Sequence, residues 1–289
     1  MHLIGWLLLV VSASADFQCR FDDDEGNKKQ ALRGTMLVLK SPRVGSTYLR
    51  SVLEAHPNVV LEWEVGSISN VKKSMACANA SIPRACGASI NDFVKTRERT
   101  CEIFRLVAAM TPRVVLQLRW NVVEKSLSAY RLFNRDFVSR KKRCRDDEAC
   151  VDALRVDAKA IATGARRGDE TIRATVAAAT WLASPYIFVF YEDLIRETRT
   201  VLVKIYDFLG VPRCDACARP ARFSPLEVPN LDELVAAFSS DLDDAEYLRM
   251  LDPRFNLEVH TPTRLARLQG EKNAHDRRNF TVGHWRRRT

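Results

Sequence analysis

The stretch from Met36 to Pro57, MLVLKSPRVGSTYLRSVLEAHP, most constrains what this chain can become. Met36-Leu37-Val38-Leu39 is a continuous apolar run, the signature of a strand buried on both faces of a parallel sheet. After it, Leu49, Val52 and Leu53 recur at helical spacing, and the pattern stops at His56-Pro57. Between strand and helix lie one proline, one glycine, two hydroxyls and the cations Lys40 and Arg43. A helix start with unpaired backbone N–H groups, flanked by cations, is suited to bind an anion. The alternative is an ordinary strand-to-helix turn in which Ser46 caps the helix.

The same alternation continues along the chain. Strands are expected at 36–39, 113–118 and 186–191, and helices at 46–56, 122–139, 169–183 and 198–209. Two short helices follow at 230–237 and 241–250, while the charged stretch 140–168 reads as a surface excursion. Strands and helices in turn predict an α/β fold, a single domain with a central parallel sheet flanked by helices. The strand-loop-helix at 36–57 would form a P-loop-like phosphate site at the sheet edge. It departs from the nucleotide P-loop, because no lysine follows Gly45 and Arg43 precedes it instead.

The ends of the chain frame this domain. Leu3 to Val11 is apolar and is followed by the small residues Ala13-Ser14-Ala15, which predicts a signal peptide over 1–15. The run is much shorter than the roughly 20 residues needed to span a membrane. A polar arm over 16–34 and the domain over 35–289 complete the organisation, and no further membrane span is expected. The chain carries eight cysteines, and an even number in a secretory protein suggests disulfides such as Cys77–Cys86 and Cys144–Cys150. Cys214 and Cys217 form a CxxC, readable as a redox pair or half a zinc site, although no second ligand pair accompanies it. Asn79 and Asn279 begin glycosylation sequons. The net charge of +9 favours an anionic partner without choosing among nucleotide, glycan, acidic peptide, nucleic acid or membrane.

Residues 41–64 resemble the 5′-phosphosulfate loop of the sulfotransferases that use 3′-phosphoadenosine-5′-phosphosulfate (PAPS), and are most similar to the tyrosylprotein sulfotransferases. The resemblance implies that Arg43 meets the bridging oxygen and 5′-phosphate. It also implies that Val44, Gly45, Ser46 and Thr47 cradle that phosphate through N–H groups and hydroxyls, and that Tyr48 lies near the adenine. Three further short stretches extend it. VVLQLRWNVVEKSLSAYR resembles the family's 3′-phosphate motif, implying Arg119 at a strand end and a serine about two helical turns on. Ser126 and Ser128 both qualify, Ser128 being favoured; two solvent-facing serines is the alternative. FVFYEDL resembles the family's YEDL stretch and places Tyr191 near the adenine, unless it is a core tyrosine. Arg278 to Trp285 resembles the loop that clasps the 3′-phosphate, with Arg278 as its cation. Its alternative is solvated basic tail, and glycosylation of Asn279 would conflict with a clasp.

Counting from Arg43, Glu64 falls where the tyrosylprotein branch carries its catalytic base. Burial beside Trp63 is expected to raise its carboxyl toward a useful value. Glu62, two residues earlier, is the alternate. His56, in its helix-ending His-Pro, reads as structural. The implied function is sulfuryl transfer from PAPS to an acceptor hydroxyl, in the Golgi lumen or outside the cell. A glycan or protein tyrosine is the expected acceptor. No metal and no nucleic-acid partner are expected. The alternatives are a nucleotide phosphotransferase and a non-catalytic basic protein that binds glycan or nucleic acid.

Overall fold

The computed structural model describes residues 34–75, 85–91, 93–94, 96–144, 150, 155–179, 182, 184–218, 230–238, 245–252 and 255–256. The expected signal peptide, most of the N-terminal arm, both sequons, Cys77 and the Arg278–Trp285 stretch lie outside these residues.

Five strands form one sheet: β1 (Thr35–Lys40), β2 (Val59–Glu62), β3 (Ala85–Asn91), β4 (Arg113–Leu118) and β5 (Tyr186–Phe190). All pairings are parallel and the order is β2-β3-β1-β4-β5. The chain first moves to one side of β1 and then to the other, so the C-terminal end of β1 is a topological switch point. That is the place where open α/β sheets bind ligands.

Alternate side chains of β1 serve the two faces. Met36 and Val38 join α1 (Ser46–Glu54) and the later helix Thr198–Leu209 in one core, through Leu49, Val52, Leu53, Leu202 and Ile205. Leu37 and Leu39 face α2 (Ile68–Met75) and α3 (Arg97–Met110) in a second core, with Val71, Met75, Ile103 and Val107. A third cluster gathers α4 (Val122–Phe133), α5 (Arg135–Cys144) and α6 (Ala158–Ala179) beyond the β4–β5 edge, around Leu127, Phe137, Ile161 and Ile172. The remaining helices are α7 (Tyr191–Arg196), α8 (Thr198–Leu209), α9 (Leu231–Phe238) and α10 (Ala245–Arg249).

The α/β expectation is therefore met, with differences at four places. The single helix expected over 122–139 is broken at Asn134, whose backbone is extended (φ −72°, ψ 113°). Its side chain accepts from the Phe137 N–H at 2.8 Å and so caps α5. The charged stretch 140–168 is not an excursion throughout, since it contains the end of α5 and the first half of α6. The strand expected to 191 ends at Phe190, and Tyr191 opens α7. Strands β2 and β3 and helices α2 and α3 were not anticipated. The segment Ala85–Asn91 reads ACGASIN, poor in β-branched residues because β3 lies inside the sheet where side-chain space is small. A Cβ at Gly87 would stand 1.9 Å from the Met36 carbonyl oxygen, so only glycine fits that close approach.

Candidate active site

The loop from Ser41 to Gly45 leaves β1 at the switch point and enters α1. Gly45 is the residue before the helix, in the left-handed region (φ 74°), and no side chain caps α1. Its carbonyl accepts from the N–H groups of Tyr48 and Leu49. Ser46 and Thr47 therefore stand where a helix presents N–H groups that no turn of its own can satisfy. The bland reading, with Ser46 as a capping residue, is not what the structure shows.

Other elements fix this loop in place. Val44 is buried, and its carbonyl accepts from Gln117 Nε2 of β4 at 3.0 Å. The Tyr191 ring packs on Gly45 so closely that a Cβ there would fall 2.0 Å from it. Lys125 Nζ donates to Ser41 Oγ at 2.8 Å. Arg43 itself takes a left-handed backbone (φ 62°), a conformation costing a non-glycine residue about 1 kcal/mol. Its exposed guanidinium donates through Nε and Nη2 to Ser128 Oγ, at 2.8 and 2.6 Å. It pairs with no carboxylate among the described residues.

The two serines of α4 separate cleanly. Ser126 is buried and donates to the Ile161 carbonyl at 3.0 Å. It fills the space over Gly164, where a Cβ would meet its oxygen at 2.2 Å. Ser126 thus belongs to the α4–α6 contact, and Ser128 alone of the pair faces Arg43.

Arg119 lies deeper, 7% exposed at the end of β4. Nη2 meets Glu124 Oε2 at 2.5 Å, both side chains being buried, and Nη1 reaches the Arg43 carbonyl at 3.4 Å. The guanidinium also lies 4.6 Å from the centre of the Tyr191 ring. Its Nε is buried and meets no hydrogen-bond partner among the described residues. Glu192, beside Tyr191, caps the same junction by accepting from the N–H groups of Trp120 and Asn121 at 3.1 and 2.8 Å. Burial raises the phenol pKa values of both Tyr191 and Tyr48. Tyr48 shares a 2.8 Å hydrogen bond with Thr198 Oγ1.

Glu64 follows β2 and also has a left-handed backbone (φ 57°). Of the three non-glycine residues with positive φ among those described, two are Arg43 and Glu64. Strain of this kind persists where the surroundings impose it. Here the Glu64 N–H donates to Ser89 Oγ at 2.7 Å, and Lys40 Nζ donates to its carboxylate at 3.0 Å. The Lys40 hydrogen bond holds the Glu64 carboxyl below its ordinary value, outweighing the upward push of burial. The expectation that burial beside Trp63 would raise it is thus corrected. Trp63 packs against the core beside α1 and β2, and Lys40 Nζ lies 5.0 Å from its ring centre.

The alternates fall away. Glu62, exposed at the end of β2, accepts from Ser74 Oγ. His56 is 2% exposed, with Nδ1 accepting from the Asn58 N–H and Nε2 donating to the Pro212 carbonyl. Both its nitrogens are occupied, as a structural histidine requires. Cys214 and Cys217 form a disulfide, so the CxxC is not half of a zinc site here; Cys144 and Cys150 are also bonded. Cys86 is disulfide-bonded, while its expected partner Cys77 lies outside the described residues, as does Arg278.

Lys40, which the sequence offers only as a loop cation, completes the site together with Asn91 and Gln117, which no motif marks. Lys40 pairs in register with Asn91 on β3 and with Gln117 on β4. The three make a polar row across the central strands at their C-terminal ends. The one signal available was a lysine continuing an otherwise apolar strand.

No family model matches the chain, and no curated protein matches it. Among solved structures it is similar to a sulfotransferase from Alicyclobacillus acidocaldarius. The identity is 14% and the TM-score 0.44, covering 78% of this chain and 96% of that one. The sulfotransferase domain of the Synechococcus PCC 7002 olefin synthase has 16% identity and a TM-score of 0.43, covering 83% and 94%. Mouse sulfotransferase SULT7A1 complexed with PAP has 14% identity and a TM-score of 0.37, covering 85% and 90%.

Proposed function

We propose that the chain is a sulfotransferase that moves a sulfuryl group from PAPS to an acceptor hydroxyl. The observation that carries this reading is the juxtaposition around Lys40. The uncapped N-terminus of α1, with Arg43 paired to no carboxylate among the described residues, lies on one side. The strained Glu64, held by Lys40, lies on the other. An anion-binding helix start beside a fixed carboxylate is what in-line transfer of a charged group to a hydroxyl needs.

The residues fit the cosubstrate. The α1 N–H groups and Arg43 are donors for a 5′-phosphate, Ser128 orients Arg43, and Arg119 braces the loop from behind with one N–H still unmet. Tyr48 and Tyr191 offer rings beside the loop for the adenine, and Arg278 remains the candidate for the 3′-phosphate. PAPS supplies the sulfuryl group on a phosphate leaving group. Arg43 and the helix N–H groups lie where that phosphate gains negative charge, and Glu64 takes the acceptor's proton. Because Glu64 is held below its usual carboxyl value, it is ionised and ready at neutral pH.

The acceptor is proposed to be a glycan or a peptide tyrosine, approached by a basic protein. The Cys144–Cys150 and Cys214–Cys217 disulfides suit an oxidising compartment of the secretory pathway. No helix among the described residues is long and apolar enough to cross a membrane. The test is transfer from labelled PAPS to a panel of glycan and tyrosine-peptide acceptors. Transfer by the parent chain, and its loss by roughly a hundredfold or more in Glu64→Gln with nucleotide binding retained, is the expected result. No transfer to any acceptor by a folded protein that binds PAPS would overturn it.

A further inference from the structure

Lys40 is the most buried cation among the described residues, with 1% of its surface exposed. A lysine is buried this way only when its charge is met. Its Nζ donates to Glu64 Oε1 at 3.0 Å and to Asn91 Oδ1 at 2.5 Å, and lies over the Trp63 ring. Asn91 is its register partner on β3, so the sheet itself brings the amide to the ammonium. The Glu64 side chain remains 54% exposed. The carboxylate is therefore gripped from the protein side and open on the other.

We propose that Lys40 is a positioning residue, which holds the Glu64 carboxylate in the orientation that meets an incoming acceptor hydroxyl. The proposal rests on the reading of Glu64 as the base. In the step it serves, the acceptor oxygen forms a bond to sulfur. The bond from sulfur to the bridging oxygen of PAPS breaks, and its electron pair leaves with the phosphate. The acceptor's proton passes to Glu64. Lys40 touches none of the reacting atoms. It fixes the carboxylate and, with its charge, keeps it ionised.

The groups that act on Glu64 come from three elements. The Lys40 hydrogen bond from β1 lowers its carboxyl value most, burial opposes it, and a hydrogen bond from Asn91 on β3 and the charges of Lys40 and of Arg50 on α1 lower it further. Arg50 is itself engaged with Glu54 at 2.7 Å. Removing Lys40 takes away the largest of these influences and leaves the upward push of burial.

The test uses the full chain with carboxyl-labelled glutamate, reading Glu64 by NMR and assigning its signal by the loss of that signal in Glu64→Gln. In Lys40→Met the Glu64 titration moves to higher pH. The acidic inflection of kcat/KM moves with it in the same direction, while KM for PAPS stays nearly constant. Asn91→Ala, which keeps the lysine, gives a smaller shift of the same sign and decides the matter if Lys40→Met does not fold. An unchanged Glu64 titration in a folded variant overturns the proposal. A titration that moves while the turnover profile stays put also overturns it, because the gripped carboxylate is then not the base. Absence of PAPS-dependent transfer in the parent overturns the proposed function instead, and the titration still reports whether the grip exists.

Discussion

Two adjacent strand-to-helix junctions each place an arginine at the end of a central strand, and they treat it in opposite ways. After β1, Arg43 is exposed, strained in backbone and bonded only to a neutral serine among the described groups. After β4, Arg119 is buried, neutralised by Glu124 and stacked on Tyr191. Asn256 tightens that second junction, donating to the same Glu124 oxygen at 2.7 Å and accepting from Asn121 at 3.2 Å. A charge already balanced within the protein serves the scaffold; one left with a neutral partner can serve a ligand. Net charge in a sequence does not distinguish them.

The largest expected effect separates the two arginines. Arg43→Ala should lower turnover by roughly a hundredfold or more, as removal of a preorganised charge does, with Tm almost unchanged. Arg119→Met should instead cost about 3 kcal/mol of stability, because it leaves Glu124 buried without its partner; denaturant melts of both variants measure the contrast. If Arg119→Met keeps its stability, the scaffold role assigned to that junction is wrong.

The serines repeat the comparison on a smaller scale. Ser128→Ala should weaken binding of 3′-phosphoadenosine-5′-phosphate by a factor of about five, measured by calorimetry, without lowering Tm. Ser126→Ala should do the reverse, losing about 1 kcal/mol of stability and leaving the affinity intact.

The contrast was only partly legible in the sequence. The strand-loop-helix around Arg43 could be read because apolar run, glycine and helical spacing are all local. The partners of Arg119 could not, since nothing sets Glu124 apart from any other acidic residue in the first turn of a helix, and Asn256 comes from far along the chain. The first half of helix α6 is hidden in the sequence by the charged composition of 140–168, and it contains Gly164 and Gly168, residues unfavourable in a helix interior. In the fold they are where α4 approaches, over Ser126 and Val122. The polar row of Lys40, Asn91 and Gln117 exists only once three strands are aligned in register. Its lysine therefore looked like part of the loop rather than the grip on Glu64.

The smallest effect concerns pH. Glu64 has a depressed carboxyl value in the folded state, so its pairing with Lys40 stabilises the protein above the unfolded value of about 4.3. That contribution is lost as pH falls through the lower folded value. With the glutamate side chain 54% exposed, solvent screening keeps the contribution small. The Tm difference between the parent and Glu64→Gln should therefore be slight at pH 7 and shrink as pH falls below about 4.3.

The most direct measurement of the central claim is a thermal-shift titration of the chain from Asp16, comparing 3′-phosphoadenosine-5′-phosphate with 5′-AMP and with Mg-ATP. A ligand at 100 times its Kd stabilises a fold by roughly 2.7 kcal/mol, enough for a clear rise in Tm. The account predicts that rise with the 3′-phosphate compound, its loss in Arg43→Ala, and little response to the other two. A rise with Mg-ATP alone would contradict it.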